Sequence, residues 1–288
     1  MTVAHCCKYY RRDGADLLIY GNILEQEKAV SLKVSAVPAI ASLLHYPIKG
    51  MGGIELPRVT LKTGEGMPLD RAYAIENGGK RFDAQNPKWL PKANFLQLMQ
   101  HERLASLAFT FDAASRTLTL FRGAKQIAKG DLQTKLGRQM IEQFLAAYMK
   151  TDLRGPPRIV SAPSHSFTDI AEKALHLVNL ASVRALSRTA GIDLDPLRFR
   201  ANVYFEGVPA FEERHWCGKT LACGGTMLKV FDETGRCEAT SVDPKTARRG
   251  LSVPATLQRT WGHTKLGLYA KVISGGEVEA GSTIAVLP

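Results

Sequence analysis

The sequence predicts a mainly β protein with a helical insertion, an α+β chain in which a β-barrel-like N-terminal subdomain precedes a second β region. Three observations carry this. Short apolar runs broken by Gly, Pro and Asp turns recur over residues 39–121 and again after 199, the spacing of a small barrel or sandwich. Between them Leu136, Met140, Ile141, Phe144, Leu145 and Tyr148 form one stripe with helical period. No internal repeat or low-complexity tract competes with that reading.

The elements follow in order. Residues 1–37 differ from the rest, polar and aromatic around Cys6 to Arg12, and read as an N-terminal extension. Ala39 to Tyr46 is an apolar strand stopped at Pro47, and Arg58 to Leu61 is a second. Gly64 to Pro68 is a turn, Arg71 to Ile75 a strand, and Glu76-Asn-Gly-Gly79 a hairpin signal. Leu107–Phe111 and Leu118–Phe121 flank Asp112-Ala-Ala-Ser115 as another hairpin. The helical stripe reads as core contact. Arg154 to Pro163 is a proline-rich connection. Ala174 to Val178 is a strand, then a short helix over Val183 to Thr189 stops at Gly191, with Asn179 or Ser182 as its N-cap. Phe199 to Phe205, Thr226 to Phe231, Ala239 to Val242 and Tyr269 to Ile273 make the second β region. Gly275-Gly276 and Gly281 close it. Domain boundaries are expected at 38–130 and 131–288, the latter including a helical connection over 131–195.

Composition narrows the function classes. The 288 residues are 45% hydrophobic, enough for a real core. No apolar run approaches the roughly 18 residues a membrane span needs. Met1 to Tyr10 has no apolar signal core, so a cytoplasmic protein is expected. Five cysteines, Cys6, Cys7, Cys217, Cys223 and Cys237, are odd in number and scattered, which argues for a reducing compartment rather than a disulfide framework. Without a CxxC pair or a His-x-x-x-His, no zinc site or iron–sulfur cluster is expected. The net charge of +11, from 38 basic and 27 acidic residues, favours anionic partners. The basic residues are dispersed, with no aromatic interleaving and no basic helix, so nucleic acid is not expected.

The most informative stretch is Gly235-Arg-Cys-Glu-Ala-Thr-Ser-Val-Asp-Pro244, which presents one cysteine before a tight Asp-Pro break. A thiolate there suits a soft or high-valent metal, or the carriage of sulfur. Five further motifs run with it in order: Tyr46-Pro-Ile-Lys-Gly-Met-Gly-Gly-Ile-Glu-Leu56, Asp70-Arg-Ala-Tyr-Ala-Ile75, Phe199-Arg-Ala-Asn202, Ala210-Phe-Glu-Glu-Arg-His-Trp216 and Leu266-Gly-Leu-Tyr-Ala270. From about residue 39 to its end the chain resembles the MOSC-domain proteins, the molybdenum cofactor sulfurase C-terminal domain family. It is most similar to those with an N-terminal MOSC β-barrel domain, the arrangement of the amidoxime-reducing type. The resemblance implies a molybdenum cofactor (molybdopterin), a pterin with a dithiolene and a phosphate. It implies a small-molecule substrate and, for a reductase, electrons from a separate protein. In the cofactor sulfurases the related role is handling sulfur destined for the metal.

The resemblance assigns Cys237 as the molybdenum ligand and catalytic centre; the plain alternative is a buried structural cysteine. Lys49, Arg71 and Arg200 are candidates for the cofactor's anionic groups, against surface salt bridges. Asn202 either bonds the pterin or starts a strand. Ser182 and Asn179 sit at a helix start, where amides attract phosphate or are merely capped. Asp243 either relays a proton or orients oxygen at the metal, or only forms a turn before Pro244. Thr240 is a strand residue with a lesser claim. Trp216, in the motif with Glu213, is expected to pack. His263 is either a proton donor near neutral pH or an ordinary surface or core histidine, and Cys217 and Cys223 read as incidental. No lysine context supports a pyridoxal Schiff base. Two departures stand out: Gly50 replaces a Ser common in the family pattern, and Arg81-Phe-Asp-Ala-Gln-Asn86 lacks the Thr and Arg of the usual hairpin, which puts the substrate channel in question.

Overall fold

Leu43 and Leu44 are neighbours on strand β1 (Ala39–His45) yet join two different cores. Successive side chains on a strand point to opposite faces, so a strand apolar on both faces belongs inside a covered sheet. In the computed structural model, which describes residues 37–288, this strand lies inside the molecule's main sheet, paired on one side with β10 and on the other with the edge strand β2. The remaining N-terminal elements are β2 (Ile54–Leu56), β3 (Arg58–Leu61), β4 (Ala74–Asn77), β5 (Ala108–Asp112), β6 (Thr117–Arg122), β7 (Lys125–Asp131) and helix α1 (Lys135–Tyr148). Next come β8 (Pro157–Val160), β9 (Leu175–Asn179), α2 (Leu180–Ala190), β10 (Val203–Glu206), β11 (Thr220–Cys223) and β12 (Thr226–Gly235). The chain closes with α3 (Val253–Trp261), β13 (Lys265–Ser274), β14 (Gly276–Glu279) and β15 (Ile284–Leu287). The protein is mainly β with helical insertions, as the sequence predicts.

Eight strands form one sheet in the order β15-β11-β12-β13-β9-β10-β1-β2. Only β9 and β10 run parallel, joined by a crossover through α2; the other pairs are antiparallel. On one face Leu43, Leu177, Phe205, Leu228 and Leu268 pack together. On the other, Leu44, Val178 and Tyr204 meet Val183 and Leu186 of α2 and Val253 and Leu257 of α3. Each such fully buried aliphatic side chain contributes about 1.5–3 kcal/mol of transfer free energy. A third core forms where the meander β5-β6-β7 and α1 cover Ile48, Ile75 and Leu104.

Several expectations are corrected. Of the stripe on α1, Ile141 and Leu145 are buried and Phe144 and Tyr148 pack against the same core, but Leu136 and Met140 are 69% and 49% exposed and Gly137 is buried in their place. The reason is a backbone contact: a Cβ on Gly137 would sit 2.1 Å from the Asp131 carbonyl oxygen. Docking the helix at that glycine turns the residue before it about 100° away. The turn at Gly78 does not close a hairpin, because β4 pairs with β8, a strand hidden in the proline-rich connection. Arg71 precedes its strand, in a turn with φ 48°. Ala239 to Val242 is not a strand; Glu238–Ser241 is a single 3-10 turn. Helix α3 went unrecognised. The cap of α2 is Asn179, whose Oδ1 accepts from the Ala181 amide at 2.9 Å. Trp216 packs as expected, stacked on Phe205 at 5.1 Å. The N-terminal extension, with Cys6 and Cys7, lies outside the described residues.

Candidate functional site

Three backbone segments converge at one end of the main sheet. The chain leaving β1 carries Tyr46 to Gly50, the chain entering β10 carries Arg198 to Asn202, and the chain leaving β12 carries Arg236 and Cys237. Together with Asp70, Arg71, Gln97, Thr168, Asp169 and His176 they line one cleft. Of the candidates from the sequence, Lys49, Arg71, Arg200, Asn202, Cys237 and Thr240 line it.

Charge dominates this cleft. Lys49, Arg71, Lys92, Arg198, Arg200 and Arg236 face two carboxylates, Asp70 and Asp169, an excess of four positive charges. The Lys49 ammonium is 6% exposed and donates to the Phe167 carbonyl at 2.9 Å and to Asp169 at 2.5 Å. Burial lowers its pKa against the pull of Asp169. Burial also opposes the Asp169 charge, but Lys49 beside it holds that carboxyl at about 2.

Arg71 and Arg200 are a pair. Both adopt left-handed backbone, φ 48° and 55°, which costs a residue with a Cβ of order 1–3 kcal/mol. Arg71 ion-pairs with Asp70 and donates to the Arg200 carbonyl at 3.0 Å. Arg200 donates to the Met51 carbonyl at 2.5 Å. Their guanidinium carbons lie 4.4 Å and 4.5 Å from the centroid of the Tyr46 ring. Burial works against the Arg71 charge, yet Asp70 more than offsets it and the pKa is raised. Arg200 has no carboxylate contact, and burial together with the Arg71 charge brings it down to about 10.

Arg236 lines the same cleft as the adjacent Cys237. It donates to the Phe199 carbonyl at 2.7 Å and to His176 Nε2 at 3.0 Å. A guanidinium only donates, so Nε2 accepts and the ring proton sits on Nδ1. Burial, then the Arg236 charge, push the His176 pKa well below its usual value. His176 is therefore a neutral strut for Arg236. Cys237 itself is half-buried and free, at the N-terminal end of the 3-10 turn.

Other candidates are committed elsewhere. Asn202 accepts from the His176 amide at 3.1 Å and donates to the Leu44 carbonyl at 3.2 Å, which ties β9 to β1. The Thr240 hydroxyl donates to the Cys237 carbonyl at 2.8 Å and fixes the turn that presents the thiol. Ser182 is outside the cleft: it donates to Glu213 at 2.6 Å and accepts from the Phe211 amide. Asp243 also lies outside the lining, accepting from Arg198 at 2.6 Å and from the amides of Lys245 and Thr246. His263, likewise outside, accepts from Arg214 at 2.8 Å. Asp169, His176, Arg198 and Gln97 went unnoticed in the sequence, where no motif or spacing marks them.

The cleft also holds unmet hydrogen-bonding capacity. Five buried side-chain polar atoms lack a partner among the described residues, and four belong to its wall: Gln97 Nε2, Arg198 Nε, Thr234 Oγ1 and Arg236 Nε. Three of these are donors only, which suits an acceptor-rich, anionic ligand.

Among curated proteins the chain is similar to molybdenum cofactor sulfurases, 26% identical over 88% of its length to that of Caenorhabditis briggsae and 31% identical over 86% to that of Drosophila ananassae. These stretches are 37% and 34% of the relatives, so the chain spans about a third of their length. Among solved structures, YUAD protein from Bacillus subtilis matches 86% of this chain and 94% of its own, with 12% identity and a TM-score of 0.41. YiiM from Geobacillus stearothermophilus matches 40% of this chain and 54% of its own, with 16% identity and a TM-score of 0.33. Two family profiles match in succession, the MOSC N-terminal beta barrel domain over residues 37–152 and the MOSC domain over 157–285. With both domains in place and the motifs of each lining one cleft, this chain belongs to the MOSC proteins that carry an N-terminal beta barrel domain.

Proposed function

We propose that the cleft holds the molybdenum cofactor and that the protein is an oxidoreductase that reduces small N-oxygenated compounds. One observation carries the reading: a half-buried free thiol, Cys237, opens onto a cleft with four surplus positive charges and four unpartnered polar atoms in its wall. A pterin phosphate with a dithiolene-bound metal needs those properties: cations for the phosphate, donors for the pterin, and a thiolate for the metal.

The roles divide by chemistry. Lys49, Arg71 and Arg200 would hold the phosphate. Gln97, Arg198, Thr234 and Arg236 would donate to or accept from the pterin. Cys237 would ligate the metal, held by the Thr240 turn. When bound, the group supplies a two-electron couple that accepts an oxygen atom from a substrate. Reduction of an N-hydroxylated amine to the amine consumes two electrons and two protons and releases one water. His176, neutral and accepting from Arg236, is not the acid in that reaction, and the protons enter from solvent at the open mouth of the cleft. The electrons would come from a separate donor protein.

A second reading is favoured by the names of the curated relatives: Cys237 carries a persulfide for sulfuration of the cofactor. Turnover separates the two. With reduced viologen as donor, the first reading predicts that purified, cofactor-loaded protein reduces N-phenylhydroxylamine to aniline, two electrons per amine, and that Cys237→Ala abolishes it. Molybdenum-loaded protein with no such activity, but with sulfane sulfur that depends on Cys237, would establish the second reading instead.

A further inference from the structure

Beside the cleft, sharing Gly50 in its lining, is a second cavity, a groove of about 470 Å³ between the start of β5 and the chain around Leu197 and Val242. Gly50, Leu98, Arg198, Arg200 and Ala239 line both spaces. Ala239 is two residues beyond Cys237, so the groove and the thiol flank the same short turn.

The groove differs from the cleft in chemistry. Leu107, Phe109, Met51, Leu197, Val242 and Pro244 are among its lining residues. Among the described residues no carboxylate lines it. The Ser106 hydroxyl is engaged with the Arg103 carbonyl at 2.8 Å and Tyr148 at 2.6 Å. Lys245 at the rim pairs with Asp195 at 3.2 Å. Arg198, which also lines the groove, keeps an unpartnered Nε. Leu197 is 41% exposed in this groove, an apolar side chain left in water beside a charged site. An open, concave, apolar surface with a few polar groups is the form of a small-molecule subsite. A groove on the other side of the cleft shares Asp70, Thr168 and Ala174 with it, but presents Lys62, Arg116 and Lys173. An apolar ligand is therefore directed to the first.

We propose that this apolar groove is the substrate subsite. It takes the body of an uncharged or anionic organic molecule, aromatic or aliphatic, whose oxygen-bearing end passes Gly50 and Ala239 toward Cys237. Arg198, Arg200 and Lys245 exclude a cationic body. The proposal rests on the reading of the cleft as the redox site, and its test separates the two.

Ala108 is exposed, lines the groove and lies outside the cleft. Ala108→Trp fills the groove without disturbing a core. N-phenylhydroxylamine and hydroxylamine carry the same reacting group with and without an apolar body. In cofactor-loaded protein, Ala108→Trp is expected to raise KM for N-phenylhydroxylamine at least tenfold and leave hydroxylamine kinetics and molybdenum content unchanged. Calorimetry with N-phenylhydroxylamine, which needs no turnover, is expected to show the same loss in binding. Ala108→Ser is expected to behave as wild type. Equal KM and Kd for wild type and Ala108→Trp, with turnover intact, would overturn the groove and spare the redox reading. Binding lost in Ala108→Trp when neither compound is reduced by wild type would do the reverse. No measurable binding to wild type would also overturn the groove.

Discussion

Replacing Tyr46 tests how the cationic cleft is kept open for a ligand. Two guanidiniums lie 4.4 Å and 4.5 Å from the centroid of one buried ring. A cation over an aromatic face is stabilised by about 0.5–2 kcal/mol, more when desolvated. Two such contacts give about 1–4 kcal/mol, and the mutual repulsion of Arg71 and Arg200 puts the net at the lower end, about 1–3 kcal/mol. Tyr46→Leu forfeits this. The guanidiniums then turn outward or toward Asp70, and affinity for a phosphate group falls about five- to 140-fold, since 1.4 kcal/mol is a factor of ten. Tyr46→Phe keeps the ring and removes only a hydroxyl 3.5 Å from Tyr204, so it is expected to bind nearly as wild type. The assay is calorimetric titration with inorganic phosphate at low salt, with molybdenum content as a second readout. Because Tyr46 is also core, Leu186→Ala, a truncation in the same apolar cluster that touches neither arginine, serves as the stability control. Wild-type affinity in Tyr46→Leu, or equal losses in the Phe and Leu variants, would refute the reasoning.

Other predictions follow from the same geometry. Asp169 has its folded pKa lowered to about 2, so the Lys49 pair contributes stability that is complete above the unfolded value near 3.9 and is lost as pH falls through about 2. Urea midpoints between pH 2 and 5 should show this slope in wild type and not in Asp169→Asn; the effect is modest because the Asp169 side chain is 52% exposed. Glu213 has its pKa raised by burial, so its contribution favours the fold at low pH and declines as pH rises from the unfolded carboxylate range through the raised folded value. Glu213→Gln should remove that slope and stay within about 1 kcal/mol of wild type at pH 7, whereas Glu213→Ala leaves Ser182 and Asn179 without their partner and should cost about 2–4 kcal/mol. Gly50 has φ 85°, and a Cβ there would lie 2.9 Å from the Leu96 carbonyl oxygen. Restoring the family pattern with Gly50→Ser should therefore destabilise this protein by about 1–3 kcal/mol in thermal melts, rather than add a phosphate ligand.

Much of this architecture is legible in the sequence where the signal is local. β1, the β5–β6 hairpin, α1 and the Asn179-capped α2 announce themselves through alternation, turn chemistry, period and cap. The failures have identifiable causes. At the start of α1, Leu136 and Met140 are wrongly read as buried because large apolar side chains outvote Gly137, which docks against the Asp131 backbone through its lack of a side chain. β8 is hidden because Pro157 stands at its start, where a strand tolerates proline. α3 spans nine residues with Pro254 in its first turn, too short and too broken for a periodic signal. Thr240 to Val242 has strand-forming residues, but the Thr240 amide and hydroxyl both bond the Cys237 carbonyl and wind a turn instead. In the cleft, Cys237, Lys49, Arg71 and Arg200 stand inside motifs. Asp169 and His176 do not, because the sheet pairing and the loop before β9 place them there, and neither leaves a spacing in the chain. Ser182, singled out for its place at a helix start, and Asp243, singled out for its motif, show the converse: their hydrogen bonds tie the scaffold together.

The measurement that bears most directly on the account is elemental analysis for molybdenum, in protein expressed in a host that makes the cofactor, with Cys237→Ala measured beside it. The account predicts near-stoichiometric molybdenum in wild type, and loss or altered coordination by X-ray absorption in the variant. Absence of molybdenum from wild-type protein, or identical content and coordination in Cys237→Ala, would contradict it.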